Sequence, residues 1–560
     1  MNRPSSPVRW FALVAVCLCV FVPLFASAQP VAFTDWVQMP DGILLATDVY
    51  LPDSSGSWPA VLIRTPYNKT IWSDVGFYFR DHGYAFVAQD MRGFHQSQGT
   101  WQFFQGDVSD GQATVDWVAQ QGWCDGQIGT YGPSADGVLQ YLLAPGASSA
   151  LACLGVELAA GSMYHTWIYQ GGALRRLFPS WLVDVGYSGL VDDLLAHRLF
   201  DSWWQPLDVV SQAGEVTTPG LHIGGWYDHA LKGTLDAFSA FQSQGGIGAV
   251  GNQKMIIGPW VHNTNYPNVA GQLVYPSNAA FPAGQRLGVY VEWYDHWLKG
   301  LPSGVDDWPA VKAYLMGAVG ESGPGNVWVE LDGWPPLFEA TPWYLSASGG
   351  LSNQVPATAS TDLTIDPNSP VPTRGGANGI GLKGPYDQRP VESRDDVLTF
   401  TTEPLARHLA IMGPITARVW IVPDTLDLDL SVRLSDVYPD GRSMLVTDGI
   451  LRARKRCGDD IECLLEPGVP VEIEVDLWST SLIFNAGHSI RVALAGSNSP
   501  RFEVNPNHGG DLNGTEPPVV AHPEILFGPE YPSAIFLPVS FLFVDGFESG
   551  DCSGWSATVP

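Results

Sequence analysis

The stretch "IGTYGPSADGVLQYLLA", residues 128–144, runs from a short apolar segment through a Gly-Pro-Ser corner into an Ala- and Leu-rich segment of helical character. A strand, a tight turn and a helix in that order lift a serine hydroxyl to the carboxyl edge of a sheet and set the first N–H groups of the helix beside it. The pattern G-x-S-x-x-G does not carry this reading alone, because 61 glycines in 560 residues produce it by chance about once in two such chains. It occurs twice, at Gly132–Gly137 and at Gly320–Gly325, and the stricter G-x-S-x-G is absent. Ser322 of the second copy lies in "GAVGESGPGNV", with no apolar strand leading in and Pro324 and Gly325 opposing a helix behind it. That context predicts a surface turn. Ser134 has the strand before it and the helix after it.

Outward from this elbow, apolar runs alternate with amphipathic ones. "AVLIR" (60–64), "YAFVAQD" (84–90) and "IGTYG" (128–132) read as buried strands, and "DVSDGQATVDWVAQQ" (107–121) as a helix. This is the alternation of a largely parallel sheet covered by helices. Residues 146–216 break it with Trp-, Tyr- and Leu-rich short helices, "LRRLFPSWLVDV" and "LVDDLLAHRLFDSWW", which predict a helical cap inserted over the sheet. Strand-like runs resume at "GLHIGGWYD" (220–228) and "KMIIGPWVH" (254–262), and the amphipathic "LGVYVEWYDHWLKG" (287–300) closes the region. After residue 300 helical signals nearly vanish and runs such as "TARVWIVPD" and "VEIEVDLWSTSLIF" alternate at period two, as in an antiparallel sandwich or jelly roll over roughly 336–545.

A serine hydroxyl is a poor nucleophile until a base takes its proton, so the elbow requires a histidine and a carboxylate at later strand ends. "LHIGGWYDH" delivers Asp228 just past one apolar run, and "MIIGPWVH" delivers His262 just past the next. Three catalytic residue types thus end three strand-like segments in the order Ser, Asp, His. His229 adjoins the orienting acid and His296 falls inside the 287–300 helix, so both fit the role of base less well than His262.

Composition narrows the function classes. With 28 Lys+Arg against 57 Asp+Glu, a net charge of −29 repels phosphate backbones and anionic membranes, which excludes nucleic acid as an expected partner. Arg3 and Arg9 precede an apolar run from Trp10 to Phe25 that ends in Ala26-Ser27-Ala28, the layout of a signal peptide over residues 1–28. No later stretch reaches the roughly 18 apolar residues of a membrane span, so an exported protein without a membrane segment is expected. In an oxidising compartment Cys457 and Cys463 can close the loop "CGDDIEC"; Cys124 and Cys153 either pair or remain buried thiols, and one of the five mature cysteines, which include Cys552, is left over. No C-x-x-C, H-E-x-x-H or clustered Cys/His spacing is present, so neither metal nor cofactor is expected.

Nine segments in one order resemble the X-Pro dipeptidyl-peptidase and cocaine esterase (CocE/NonD) family of α/β-hydrolases. They are "PDGILLATDVYLP", "IRTPYNK", "QDMRGFHQSQGTW", "WCDGQIGTYGPSADG", "GGWYDH", "IGPWVH", "DVYPDGRSMLVTDGILRAR", "DLWSTSLIFNAGHSIRVALAGSNSPRFEVNPN" and the "GG" that follows, spread over about residues 32–540. The resemblance implies Ser134 as nucleophile, Asp228 as acid and His262 as base. It also implies an oxyanion hole made of the Tyr67 hydroxyl, from "TPYNK", and the backbone N–H of Ala135. It implies an α/β-hydrolase domain with a helical cap, followed by an all-β jelly-roll (galactose-binding-like) domain. The expected layout is a catalytic domain at 29–145 and 217–300, the cap at 146–216, a linker at 301–335, the jelly roll at 336–545 and an acidic tail at 546–560. Two residues depart from the family pattern: Ala135 stands where relatives carry an aromatic residue after the nucleophile, and Pro133 precedes the serine.

The activity so implied is acyl transfer from a small ester or amide, or from a short peptide, through a Ser-His-Asp triad. An X-Pro dipeptidyl-peptidase must also recognise a free N-terminal amine, for which Asp184, Asp192 and Asp193 of the cap are the candidate carboxylates. The alternative from another class is a non-catalytic binding protein whose jelly roll and aromatic cap, in a chain of 22 tryptophans, hold a carbohydrate or surface ligand.

Overall fold

The computed structural model describes residues 31–281 and 285–540. Its first half is built on a twisted sheet whose strands are β1 (Val31–Gln38), β2 (Leu44–Leu51), β3 (Trp58–Thr65), β4 (Ala85–Asp90), β5 (Cys124–Thr130), β6 (Leu151–Glu157), β7 (Gly220–Tyr227), β8 (Gln253–Val261), β9 (Val311–Leu315) and β10 (Val327–Leu331). They lie in the order β1-β2-β4-β3-β5-β6-β7-β8-β9-β10, with the short pair Gly132–Pro133 beside β6. The pairings from β4 across to β9 are parallel, whereas the edge pairings β1–β2, β2–β4 and β9–β10 are antiparallel.

The central strands are apolar almost throughout because helices cover both faces. On β3, Ala60 and Leu62 pack with Val138 and Leu142 of helix α3 (Ala135–Leu143), and Val61 and Ile63 turn the other way, toward Phe79 of α1 (Ser73–Asp81) and Tyr294 of α7 (Arg286–Trp297). Helix α2 (Asp107–Ala119) lies on the α3 side. Every residue of β4, β7 and α3 is buried.

Two boundaries differ from the expectation. Residues 151–157, expected in the cap at 146–216, form β6 in the middle of the sheet, so the insertion between sheet strands runs from 158 to 219. "LACLGVE" is enclosed on both faces and therefore lacks the alternation that marks a half-buried strand. Residues 301–335, expected as a linker, contain β9 and β10, which extend the same sheet. The cap carries α4 (Leu177–Asp184) and α5 (Leu190–Ala196); "HRLFDSWW" beyond α5 is irregular rather than helical. Helix α6 (Leu231–Gln244) follows β7.

The second half is an antiparallel jelly roll of a seven-stranded and a four-stranded sheet. In its longest strands, β11 (Leu409–Val422) and β12 (Val471–Phe484), burial alternates: Ala417, Val419 and Ile421 are buried while Arg418 between them is exposed. One apolar core continues from these strands into β9 and into Trp226 of β7, so the two halves share an interior. Glu503 reinforces the junction, pairing with Arg198 of the cap at 2.6 Å and with Arg452 of the jelly roll.

Cys457 and Cys463 form a disulfide, and Cys124 and Cys153 are separate buried thiols, which resolves the pairing that the cysteine spacing left open. Among the described residues no helix is long and apolar enough to cross a membrane. The expected signal peptide (1–28), the tail (546–560) and Cys552 lie outside the described residues.

Candidate active site

β5 ends at Thr130, the chain turns through Gly132 and Pro133, and α3 begins at Ala135. Ser134 between them takes φ 59° and ψ −129°, a strained conformation for an L-residue, which aims its side chain out of the turn. The flanking glycines of the motif are sterically required. A Cβ at Gly132 would lie 2.7 Å from the Asp136 Cβ, and one at Gly137 would lie 2.7 Å from the Ala159 Cβ. The turn is anchored by the Ser134 N–H, which donates to the Glu157 carbonyl at 3.0 Å. Glu157, at the end of β6, is itself held by Tyr266 at 2.8 Å and Arg286 at 2.9 Å. Pro133 fits the corner because its ring restricts φ and its missing N–H is not called on.

Asp228 and His262 follow the ends of β7 and β8, adjacent parallel strands, and so arrive at the same sheet edge. His262 Nε2 is 3.0 Å from Ser134 Oγ, and His262 Nδ1 is 2.6 Å from Asp228 Oδ2. The other oxygen of Asp228 accepts the Ala230 N–H at 2.5 Å, so the buried carboxylate is fixed by hydrogen bonds to both of its oxygens. The fold thus brings together the three residues singled out from strand ends. Carboxylate, imidazole and hydroxyl form a chain in which one imidazole nitrogen faces the hydroxyl while the other is oriented by the acid, the arrangement needed for general-base activation of a serine.

Tyr67 reaches the same point, its hydroxyl engaged by Ser134 and by Trp181. Burial, followed by the nearby Asp136, pushes the phenol up to about 12, so it remains an O–H donor at any ordinary pH. Ala135 is the first residue of α3, and its N–H has no carbonyl partner within the helix. Asp136, in the first turn, is fully enclosed, and burial raises its carboxyl well above the usual carboxylate range.

Above the serine is a cavity of about 170 Å³ shared by Ser134, His262, Tyr67 and Ala135. Its remaining wall comes from Phe104, Trp167, Leu177, Phe178, Trp181 and Gly379, together with His229. Trp167, Leu177, Phe178 and Trp181 belong to the cap, and Gly379 is supplied by the jelly-roll half. No local motif in the chain marks these wall residues. The aromatic richness of the cap was the available signal, but most of its aromatics are structural. Among the described residues no carboxylate lines this cavity: Asp184, Asp192 and Asp193 are exposed and stand outside its wall. Of the other candidates, two lie away from the site and His229 lies in it. Ser322 is exposed in its turn, His296 on α7 lies 3.6 Å from Asp306, and His229 packs against His262 with ring centroids 4.1 Å apart. Desolvation, then the proximity of His262 and Arg175, drives His229 well below the usual imidazole value, so it is neutral. Asp228, His229 and His262 are also the group of side chains among the described residues whose ligand atoms converge closely enough to hold a metal ion.

Comparison with known proteins places this geometry. Residues 41–264 match the model of the X-Pro dipeptidyl-peptidase (S15 family), and residues 303–535 match the model of the X-Pro dipeptidyl-peptidase C-terminal non-catalytic domain. A cocaine esterase of Rhodococcus sp. is 30% identical over 91% of this chain and 98% of its own length. A putative serine esterase of Mycobacterium bovis is 25% identical over 84% of this chain and 91% of its own. Among solved structures, an α-amino acid ester hydrolase superposes with a TM-score of 0.78 at 24% identity, over 93% of this chain and 98% of that one.

Proposed function

The chain belongs to the X-Pro dipeptidyl-peptidase (S15) and CocE/NonD family of serine hydrolases, and from that premise we propose that it is an exported esterase acting on esters of small, neutral, apolar acids. The observation that carries the catalytic part is the continuous chain from Asp228 Oδ2 through His262 to Ser134 Oγ, with links of 2.6 and 3.0 Å. His262 removes the Ser134 proton as the oxygen attacks the ester carbonyl, and Asp228 holds the imidazole in register and stabilises its cation. Negative charge gathers on the former carbonyl oxygen, where the Tyr67 hydroxyl and the Ala135 N–H donate to it. His262 then passes its proton to the departing alkoxide. Water, activated by the same imidazole, attacks the acyl-serine and releases the acid.

The character of the pocket supports the choice of substrate. Its volume of about 170 Å³ is close to the roughly 150 Å³ of an apolar cavity that accommodates benzene, so the acyl group is at most about one six-membered ring or a short branched chain. The walls offer aromatic and aliphatic surface and no carboxylate that would pair with a free α-amine. A charged N-terminal amine would therefore enter this pocket unpaired, at a cost of several kcal/mol, on the order of that for any buried unpaired ion. Ala135, in place of a bulky residue, leaves room beside the nucleophile that the family's aromatic side chain would fill. Export is supported by the basic-apolar-small layout of residues 1–28 and agrees with the Cys457–Cys463 disulfide, a bond that persists in oxidising compartments.

Labelling with a fluorophosphonate probe tests the catalytic assignment: wild type incorporates the probe at Ser134, and Ser134→Ala does not. A panel of nitrophenyl esters beside alanyl-prolyl anilide tests the substrate class. Hydrolysis of short esters with no release from the anilide is the expected outcome; efficient cleavage of the anilide would transfer the chain to the peptidase reading.

A further inference from the structure

His229 has no role in the acyl-transfer steps, yet it is enclosed at the heart of the site, 4% exposed, and its Nδ1 is buried without a hydrogen-bond partner. Arg175 donates to its backbone carbonyl at 2.8 Å and so fixes the main chain that carries it. A buried imidazole nitrogen without a partner is uncommon in a native interior, where such groups are nearly always satisfied. One ring nitrogen of His229, one of His262 and one carboxylate oxygen of Asp228 all lie within 4.8 Å of one another. Both imidazoles also line the substrate cavity, so an ion entering through its mouth meets them directly.

We infer that Asp228, His229 and His262 form an inhibitory site for a borderline-soft divalent cation of the zinc or copper class. Two imidazoles and one carboxylate, with a water or the Ser134 hydroxyl in the fourth position, make up a donor set of the tetrahedral zinc type, with bonds of about 2.0–2.2 Å. Donor atoms of such a site stand about 3.3–3.6 Å apart, so ligands within 4.8 Å of one another reach it by closing on the ion by up to about 1.5 Å. Magnesium and calcium, which prefer all-oxygen shells, are not expected to bind. Ligation occupies a His262 nitrogen, and with it either the lone pair that accepts the Ser134 proton or the N–H that Asp228 orients. In either case proton transfer stops. This inference rests on the triad reading for its effect on turnover, but not for the existence of the site.

The test uses the full-length protein, dialysed against chelator, with zinc chloride as the probe. Zinc is expected to inhibit nitrophenyl ester hydrolysis reversibly, with recovery on addition of EDTA, whereas magnesium at the same concentration has no effect. His229→Asn and His229→Gln, each compared with its own metal-free rate, should need on the order of tenfold more zinc or higher for half-inhibition. Calorimetry on Ser134→Ala, which cannot turn over but retains all three ligands, should show one zinc per chain, and the Ser134→Ala/His229→Gln double variant should lose that binding. Circular dichroism and thermal melts show whether each variant is folded. Equal zinc sensitivity with and without His229, or undiminished binding in the double variant, overturns the inference, as does a wild-type enzyme that zinc leaves fully active. Failure of the fluorophosphonate probe to label Ser134 while His229-dependent zinc binding persists would instead remove the esterase reading and leave the metal site standing.

Discussion

Removing the Tyr67 hydroxyl isolates one of the two oxyanion donors. Tyr67→Phe retains the ring that fills its share of the cavity wall and deletes only the O–H engaged by Ser134 and Trp181. The Ala135 N–H remains as the other donor. Loss of one preorganised donor in a water-poor site costs about 2.7–4 kcal/mol of transition-state stabilisation, or about 10²–10³ in kcat. Because the ground-state carbonyl is bound mainly through its acyl group, KM should change little and the loss should fall on kcat. With the phenol pushed up to about 12, Tyr67 stays protonated across the neutral and mildly alkaline range, so the ratio of wild-type to Tyr67→Phe rates should be flat there. Steady-state kinetics on a nitrophenyl ester, with Ser134→Ala as the inactive baseline, measures all three quantities. A Tyr67→Phe enzyme within about threefold of wild type in kcat, below about 0.7 kcal/mol, would show that Tyr67 does not bind the oxyanion. A loss confined to KM would assign it to substrate binding instead.

Two further outcomes follow from the fold. Gly137→Ala puts a Cβ 2.7 Å from the Ala159 Cβ and 3.0 Å and 3.1 Å from the Gly132 and Glu157 carbonyl oxygens. One of these carbonyls belongs to the elbow and the other, at the end of β6, anchors it, so overpacking of about 1–3 kcal/mol should appear in thermal unfolding together with a slower rate of probe labelling; unchanged values of both would refute the steric account of the motif. Glu503 joins cap to jelly roll: burial pushes its carboxyl up, but Arg452 and Arg198 prevail and hold it at about 2 against an ordinary 4.5. A depressed folded-state value means that the stabilisation is present above pH 4.5 and is lost as pH falls toward 2, about 3 kcal/mol in all at 1.36 kcal/mol per unit. Urea unfolding at about pH 6 and about pH 3 should therefore show a steep loss in wild type and a shallower one in Glu503→Gln; parallel losses would refute the assignment.

Much of the catalytic constellation was legible in the chain because its parts are local. The apolar run into Gly132, the elbow at Ser134 and the Ala/Leu helix after it are one short-range pattern, and Asp228 and His262 each stand directly behind a strand that can be read from its own residues. β6 was not legible: "LACLGVE" resembles any small apolar run until β5 and β7 pair with it on both sides. β9 and β10 were obscured in the same way by their position after the last helix of the catalytic domain, among the turn residues that suggested a linker.

What the amino-acid order determined by itself was the kind of chemistry: a serine forced into a strained turn by glycines at both ends, and the order in which acid and base arrive. Those properties depend on backbone sterics and on residues near one another in the chain. Only the tertiary structure decided what the serine faces. Trp167 and Trp181 from the cap and Gly379 from the jelly roll meet over Ser134 because distant segments pack into one interior, and no local periodicity records which aromatic will close the pocket. The same is true of His229. As a neighbour of Asp228 it was a second-choice base, and as a ring 4.1 Å from His262 it completes a cluster of donors that exists only when β7 and β8 lie side by side.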